Sequence, residues 1–264
     1  AAVQDYPPAL AYTAKNVKND LDIVAIAVGL NPWTLQFAGE DAKNDRTVVM
    51  SAVTQAGGTL EYASDGLRGD LDVVRAAVEN DVRAYSHATP DIRKVKALAL
   101  YVVSCRGWSL GLADDSLRRD PEVVRVAVVN QPSAICFAVG AALNDTEIAQ
   151  IVLKSDPMDL RCFNDDIKGN ASVVTLAVNK DGESLKYATE AMRQNRDVVM
   201  IAVKNNGLAL RHASEGLKND VGVVMQAVEH TGTALQFASK TLKNDVGVVL
   251  AACKNHWRAV QYAG

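Results

Sequence analysis

Apolar and polar positions alternate along the chain in one fixed order. Counting from Asp20, an apolar pair stands three and four residues on, as Ile23-Val24, and returns as Val48-Val49, Val73-Val74, Val123-Val124, Val173-Val174, Val198-Val199, Val223-Val224 and Val248-Val249. A second pair stands at seven and eight: Ala27-Val28, Ala52-Val53, Ala77-Val78, Val102-Val103, Ala127-Val128, Ala177-Val178, Ala202-Val203 and Ala227-Val228. Positions 3, 4, 7 and 8 form one stripe of a 3.6-residue helix, and the Asp or Asn at position 0 is its N-cap. At position 12 a breaker ends this helix: Gly57, Gly107, Gly182, Gly207, Gly232, Pro32, Pro132 or Pro157. A second helix is expected to follow, with an apolar set of the type Leu35, Phe37, Ala38 or Leu185, Tyr187, Ala188. Its Ala slot, broken only by Phe163, is expected to face the neighbouring copy, because a methyl group lets two helix backbones approach closely. Asn44, Gly69, Asn144, Gly169, Asn219 and Asn244, each just before the next anchor, are expected to adopt the left-handed conformation that stops a helix.

The period is 25 residues. Stepping from Asp20 gives Asp45, Asp70, Val95, Asp120, Asp145, Asn170, Asn195, Asp220 and Asp245, with no insertion or deletion between them. A 25-residue hairpin cannot bury its own apolar stripe, whereas stacked copies share a continuous core. The expected fold is therefore all-α, an α-solenoid of about ten tandem 25-residue helical hairpins forming a single repeat domain. Its units are 1–19 (partial), 20–44, 45–69, 70–94, 95–119, 120–144, 145–169, 170–194, 195–219, 220–244 and 245–264 (partial). Beginning and ending inside a unit is expected of a fragment, a processed piece or a chain with further neighbouring copies.

The phrase D-x-x-V-V-x-x-A-V-x-x-x-G-x-x-L-x-[YF]-A-S-x-x-L-K-N is met in full from Asp220 to Asn244, and from Asn195 to Asn219 with Asn195 and His212 as departures. It resembles the repeat of the DUF4116 family, a domain of unknown function found in tandem copies in protist, algal and some bacterial proteins, including effectors of intracellular bacteria. The resemblance spans essentially the whole chain and implies a structural motif, with no catalytic residues to carry over. Two stretches diverge. In residues 89–106 Val95 replaces the cap and Pro90-Asp91 are expected to start the helix early; in residues 154–165 Cys162-Phe163 replace the aromatic-Ala pair.

Composition narrows the chemistry. The 264 residues are 48% hydrophobic and 22% charged with a formal charge of −3, an ordinary globular balance. No apolar run has the length of a membrane span, so a soluble protein of a reducing intracellular compartment, most simply the cytoplasm, is expected and a membrane partner is not. Cys105, Cys136, Cys162 and Cys253 share no metal-ligand or dithiol spacing and read as free thiols, with no metal or cofactor expected. His87 and His212 occupy the aromatic slot and read as packing residues; His230 and His256 read as cations near the end of the first helix. No nucleophile elbow, phosphate loop, dinucleotide fingerprint or zinc-protease motif occurs, so an enzyme is not expected.

Two features remain as candidate partner-binding sites. A cation stands two residues before nearly every anchor: Lys18, Lys43, Arg68, Arg93, Arg118, Lys168, Arg193, Lys218 and Lys243, interrupted by Leu143. Stacking would align it into a ladder for an acidic partner, or leave each cation paired with a cap carboxylate and its stem on the apolar seam. At the turn, Trp33 and Trp108 share position 13 and Trp257 lies one place earlier, where other copies vary freely. Such residues anchor interfaces or pack over their own corner. The expected function is a non-catalytic scaffold for protein–protein interaction. The alternatives are a structural, self-associating element that uses its repeat ends, or polyanion binding through the basic ladder. Nucleic acid is not expected as a partner, since only 5% of the chain is aromatic.

Overall fold

The computed structural model describes residues 6–264. The described residues hold helices and no strand, and within a compact unit neighbouring repeats pack on one another in the manner of a solenoid. They divide into two compact units, one up to Ala138 and one from Val139 onward. In the first unit the ten-residue leading helices are Leu21–Leu30, Arg46–Gln55, Leu71–Asn80, Lys96–Cys105 and Pro121–Asn130. In the second they are Thr146–Ser155, Ala171–Lys180, Arg196–Asn205, Val221–His230 and Val246–Asn255. Each starts directly after its anchor. The Asp45 carboxylate, for example, accepts the N–H groups of Thr47 and Val48 at 2.9 Å, satisfying two of the donors that a helix leaves free at its start.

The expected second helix is split. A six-residue 3-10 helix comes first, as in Pro32–Phe37, Gly57–Tyr62 and Gly207–His212, and a four-residue α-helix follows, as in Glu40–Lys43, Asp65–Arg68 and Lys240–Lys243. Between them the Ala slot is extended, with φ −70° and ψ 156° at Ala63. The cause is the polar residue after it, which caps the short helix: Ser239 Oγ accepts the Leu242 N–H at 3.2 Å, and the Asp114 carboxylate accepts that of Ser116 at 3.0 Å. The Ala remains buried. The amide that follows it donates to the preceding repeat, Gly39 to the Lys18 carbonyl at 2.7 Å, Ser64 to Lys43 at 3.0 Å and Ser239 to Lys218 at 2.9 Å. A short side chain therefore serves a crossing of extended backbone over the previous repeat.

The left-handed stops are absent. Asn44, Gly69, Asn219 and Asn244 have φ of −100°, −99°, −106° and −98°, and among the described residues only Gly140 is positive, at 60°. Asn is used there for a bond across the joint: the Asn44 and Asn219 side-chain oxygens accept the Ser64 and Ser239 hydroxyls at 2.7 and 2.6 Å.

The divergent stretch at residue 90 behaves differently from its expectation. Pro90 turns the short α-helix into a turn and a 3-10 segment, Ile92–Lys94, and the next helix starts in register at Lys96 rather than early. Tyr85, at the place of the fully buried Leu35 and Leu60, supports this segment by donating its hydroxyl to the Arg93 carbonyl at 3.1 Å. Burial pushes its phenol up to about 12. In the other divergent stretch Phe163 fills the Ala slot and is buried.

The core is one row per position. Leu35, Leu60, Leu110, Leu185, Leu210 and Leu235 are fully buried, each contributing about 2 kcal/mol of transfer free energy. Among the described residues no helix is long and apolar enough to cross a membrane.

Candidate functional site

Within each unit neighbouring leading helices lie side by side, as Arg46–Gln55 against Leu71–Asn80 and Val221–His230 against Val246–Asn255, and so do neighbouring 3-10 helices, so these joints expose one turn to the next copy. At Gly57, Gly107, Gly182, Gly207 and Gly232 the following repeat comes so close that a Cβ would lie 2.2–2.4 Å from the carbonyl oxygen of Ala77, Ala127, Ala202, Ala227 or Ala252. Glycine is required there by close approach, not by a left-handed turn. The glycine N–H would be stranded by that approach, and an Asn ten residues after the next anchor accepts it. Gly57 donates to Asn80 at 2.8 Å, Gly107 to Asn130 at 2.8 Å, Gly182 to Asn205 at 2.9 Å and Gly232 to Asn255 at 2.7 Å. The same amides donate back to the last carbonyls of the preceding helix, Asn80 to Thr54 at 3.0 Å and Asn255 to Glu229 at 2.8 Å. At the Gly207 joint His230 takes the part of Asn, its Nδ1 receiving the N–H at 3.4 Å.

Proline joints need no acceptor. Pro157 has no N–H, and the matching position holds Lys180, a pure donor whose Nζ bonds the Ser155 carbonyl at 2.9 Å and also the Lys154 carbonyl. Pro32 faces Gln55, which turns back to Ser51 of its own helix at 2.9 Å. The sequence signal of this clasp is Gly at position 12 with Asn 23 residues later, a spacing that spans two copies and is absent from any single one.

The cationic ladder ends the short helices, and every member is half-buried. Its partners are acids three residues earlier on the same short helix, not the cap carboxylates. Arg118 meets Asp115 at 2.9 Å, Arg193 meets Glu190 at 2.9 Å, Lys218 meets Glu215 at 2.8 Å, Lys43 meets Glu40 at 3.8 Å, and Arg68 pairs with Asp65. In these five pairs the cations are 18–35% exposed and the acids 59–89%, so the outermost charge is negative. Lys18 donates to the Ala11 carbonyl at 2.9 Å and Arg93, whose third-preceding residue is Pro90, to the Leu112 carbonyl at 3.5 Å. Lys168 and Lys243 meet no partner among the described residues.

The tryptophans sit at the start of the 3-10 helices, a different edge from the ladder. Trp33 is 45% exposed, packs edge-on to Tyr62 with centroids 6.5 Å apart, and needs Gly58 beside it, where a Cβ would come within 3.0 Å of the ring. Trp108 is 50% exposed and donates Nε1 to Ser133 Oγ at 2.9 Å. Both lean on the next repeat. Trp257, 71% exposed with the Arg258 guanidinium 5.0 Å over its ring, points outward.

Among the histidines, His212 shares a polar contact across one joint: Glu183 takes Arg211 and lies 3.2 Å from His212 Nε2. Burial pushes the His212 imidazole down, partly offset by Glu183. Burial alone would raise Glu183, but bonds from His212 and Arg211 bring it below its ordinary value. Asp159 is a buried acid where other copies carry Ala, Ser or Thr; burial raises it, and Arg161 holds it at 3.2 Å.

These features define the class: an all-α repeat protein whose copies are joined by specific polar clasps. The sequence profile of the domain of unknown function DUF4116 matches residues 45–93, 170–218 and 220–264, more than half of the chain, and the chain belongs to that family. Each matched segment holds two repeats with one Gly–Asn clasp between them, at Gly57, Gly182 and Gly232. Neither a characterised protein nor a solved structure matches the chain.

Proposed function

We propose that the chain is a non-catalytic scaffold offering its repeat surface to a partner protein, as a module of a longer polypeptide or a subunit of an assembly. One observation carries this reading: inward positions hold nearly one residue type per row, while outward positions change from copy to copy. Position 5 of the leading helix runs Met50, Arg75, Leu100, Arg125, Gln150, Thr175, Met200, Met225, Leu250, whereas position 7 is Ala or Val throughout. A repeated frame with varied outward residues is how solenoids build extended binding surfaces. A reducing intracellular compartment suits the four free cysteines, two of which, Cys105 and Cys136, are exposed. The test is chemical cross-linking in the native source followed by affinity capture and mass spectrometry. A protein cross-linked reproducibly to outward positions supports the reading, and its absence at native abundance contradicts it.

A further inference from the structure

The outward face of the leading helices differs along the chain. Between Val221–His230 and Val246–Asn255 lies a cleft of about 530 Å³ lined by Met225, Gly247, Leu250, Ala251 and Lys254, with Glu229 on its rim. Met200 and Ile201, half-buried on the preceding leading helix, continue the apolar strip; Val221, Val246 and Leu250 are exposed. Gly247 is unexplained by packing within the chain. A Cβ on Gly222 would meet the Arg196 guanidinium at 2.8 Å, but on Gly247 it would meet only the Asp245 carboxylate, at 3.1 Å. Its missing side chain widens the cleft.

Charge says what fits. Lys204 and Lys254, both at position 9 of their helices, are exposed and have no anionic partner among the described residues, while Glu229 stands at the same position between them. Neighbouring helices pack about 8–10 Å apart, so the two lysines stand roughly 16–20 Å apart, the reach of five or six extended residues. We infer that this cleft and strip dock an extended segment of a partner protein bearing apolar residues between two carboxylates five or six positions apart. Methionine-lined surfaces adapt to varied apolar side chains, and the lysines fix the register. The inference rests on the scaffold reading and assigns it a face and a partner chemistry.

The test uses the full chain and two fluorescent peptides, Gly-Asp-Leu-Ser-Leu-Ser-Asp-Gly and the same peptide with both Asp replaced by Lys. The acidic peptide is expected to bind at least tenfold more tightly than the basic one. The K204E/K254E variant should lose that preference and L250S should weaken the acidic peptide, both with an unchanged melting temperature. Equal affinity for the two peptides, no binding of either at millimolar concentration, or indifference to K204E/K254E would overturn the assignment. If the native cross-linked partner is retained by K204E/K254E, the scaffold reading stands and this face is the wrong one.

Discussion

Two joints of the first unit, Gly57 against Asn80 and Pro32 against Gln55, solve one problem in opposite ways. Each turn ends a leading helix beneath the next repeat, where an unsatisfied amide is costly. Pro32 removes the donor, and its partner position is then free to carry Gln55, whose amide bonds Ser51 of its own helix instead of crossing the joint. Gly57 keeps the donor and admits the next backbone, and Asn80 then has to supply an acceptor and a returning donor. The clasped joint also carries Arg46, bonded to Asp70 at 3.3 Å and Asp72 at 3.0 Å; the other has Leu21 at that place. The second unit follows the same logic with Lys180 opposite Pro157. Close packing and polar complementarity thus come as a pair, and either half alone is unfavourable.

The largest expected effect separates the two joints by sterics. Gly57→Ala places a methyl 2.2 Å from the Ala77 carbonyl and should destabilise by about 3 kcal/mol in urea unfolding. Pro32→Ala adds no clashing methyl but brings in an N–H that Gln55 does not accept, so its loss should be smaller, about 2 kcal/mol with the entropy proline withholds from the unfolded chain. Equal losses would remove the distinction. Next comes the polar half: Asn80→Ala strands the Gly57 N–H and should cost about 2 kcal/mol, whereas Gln55→Ala should stay within about 0.5 kcal/mol.

The smallest effect concerns pH. The folded chain disfavours the protonated His212 while the unfolded chain accepts the proton, so stability is expected to fall as pH drops through the ordinary imidazole range. Glu183, held below its ordinary value, adds a loss of the same sign at lower pH. His212→Phe, matching Phe37 and Phe237 in the same slot, should flatten the first loss and leave the loss at lower pH in place. An unchanged pH profile would show that the imidazole is not held neutral.

The leading helices were fully legible, because the apolar stripe and the capping Asp or Asn are local signals that the structure uses as read. The split second helix was half legible. Ser64 and Ser239 follow the Ala slot as capping residues do, yet the Leu, aromatic and Ala spacing before them looked continuous. Asn44 and Gly69 misled because their reasons lie in the next repeat, not in their own backbone angles. The ladder misled similarly: the cations recur as read, but Glu40, Asp65, Asp115, Glu190 and Glu215 on the same short helices are the more exposed charges and leave these pairs outwardly acidic. Features set between copies are invisible to a consensus of one copy.

Amide hydrogen exchange, resolved by residue, tests the clasp most directly. The Gly57, Gly107, Gly182 and Gly232 amides should exchange only through opening of the joint. The Val82 amide, at the same position with no acceptor among the described residues, should exchange faster by two orders of magnitude or more. Exchange of the four glycines as fast as Val82 would contradict the account.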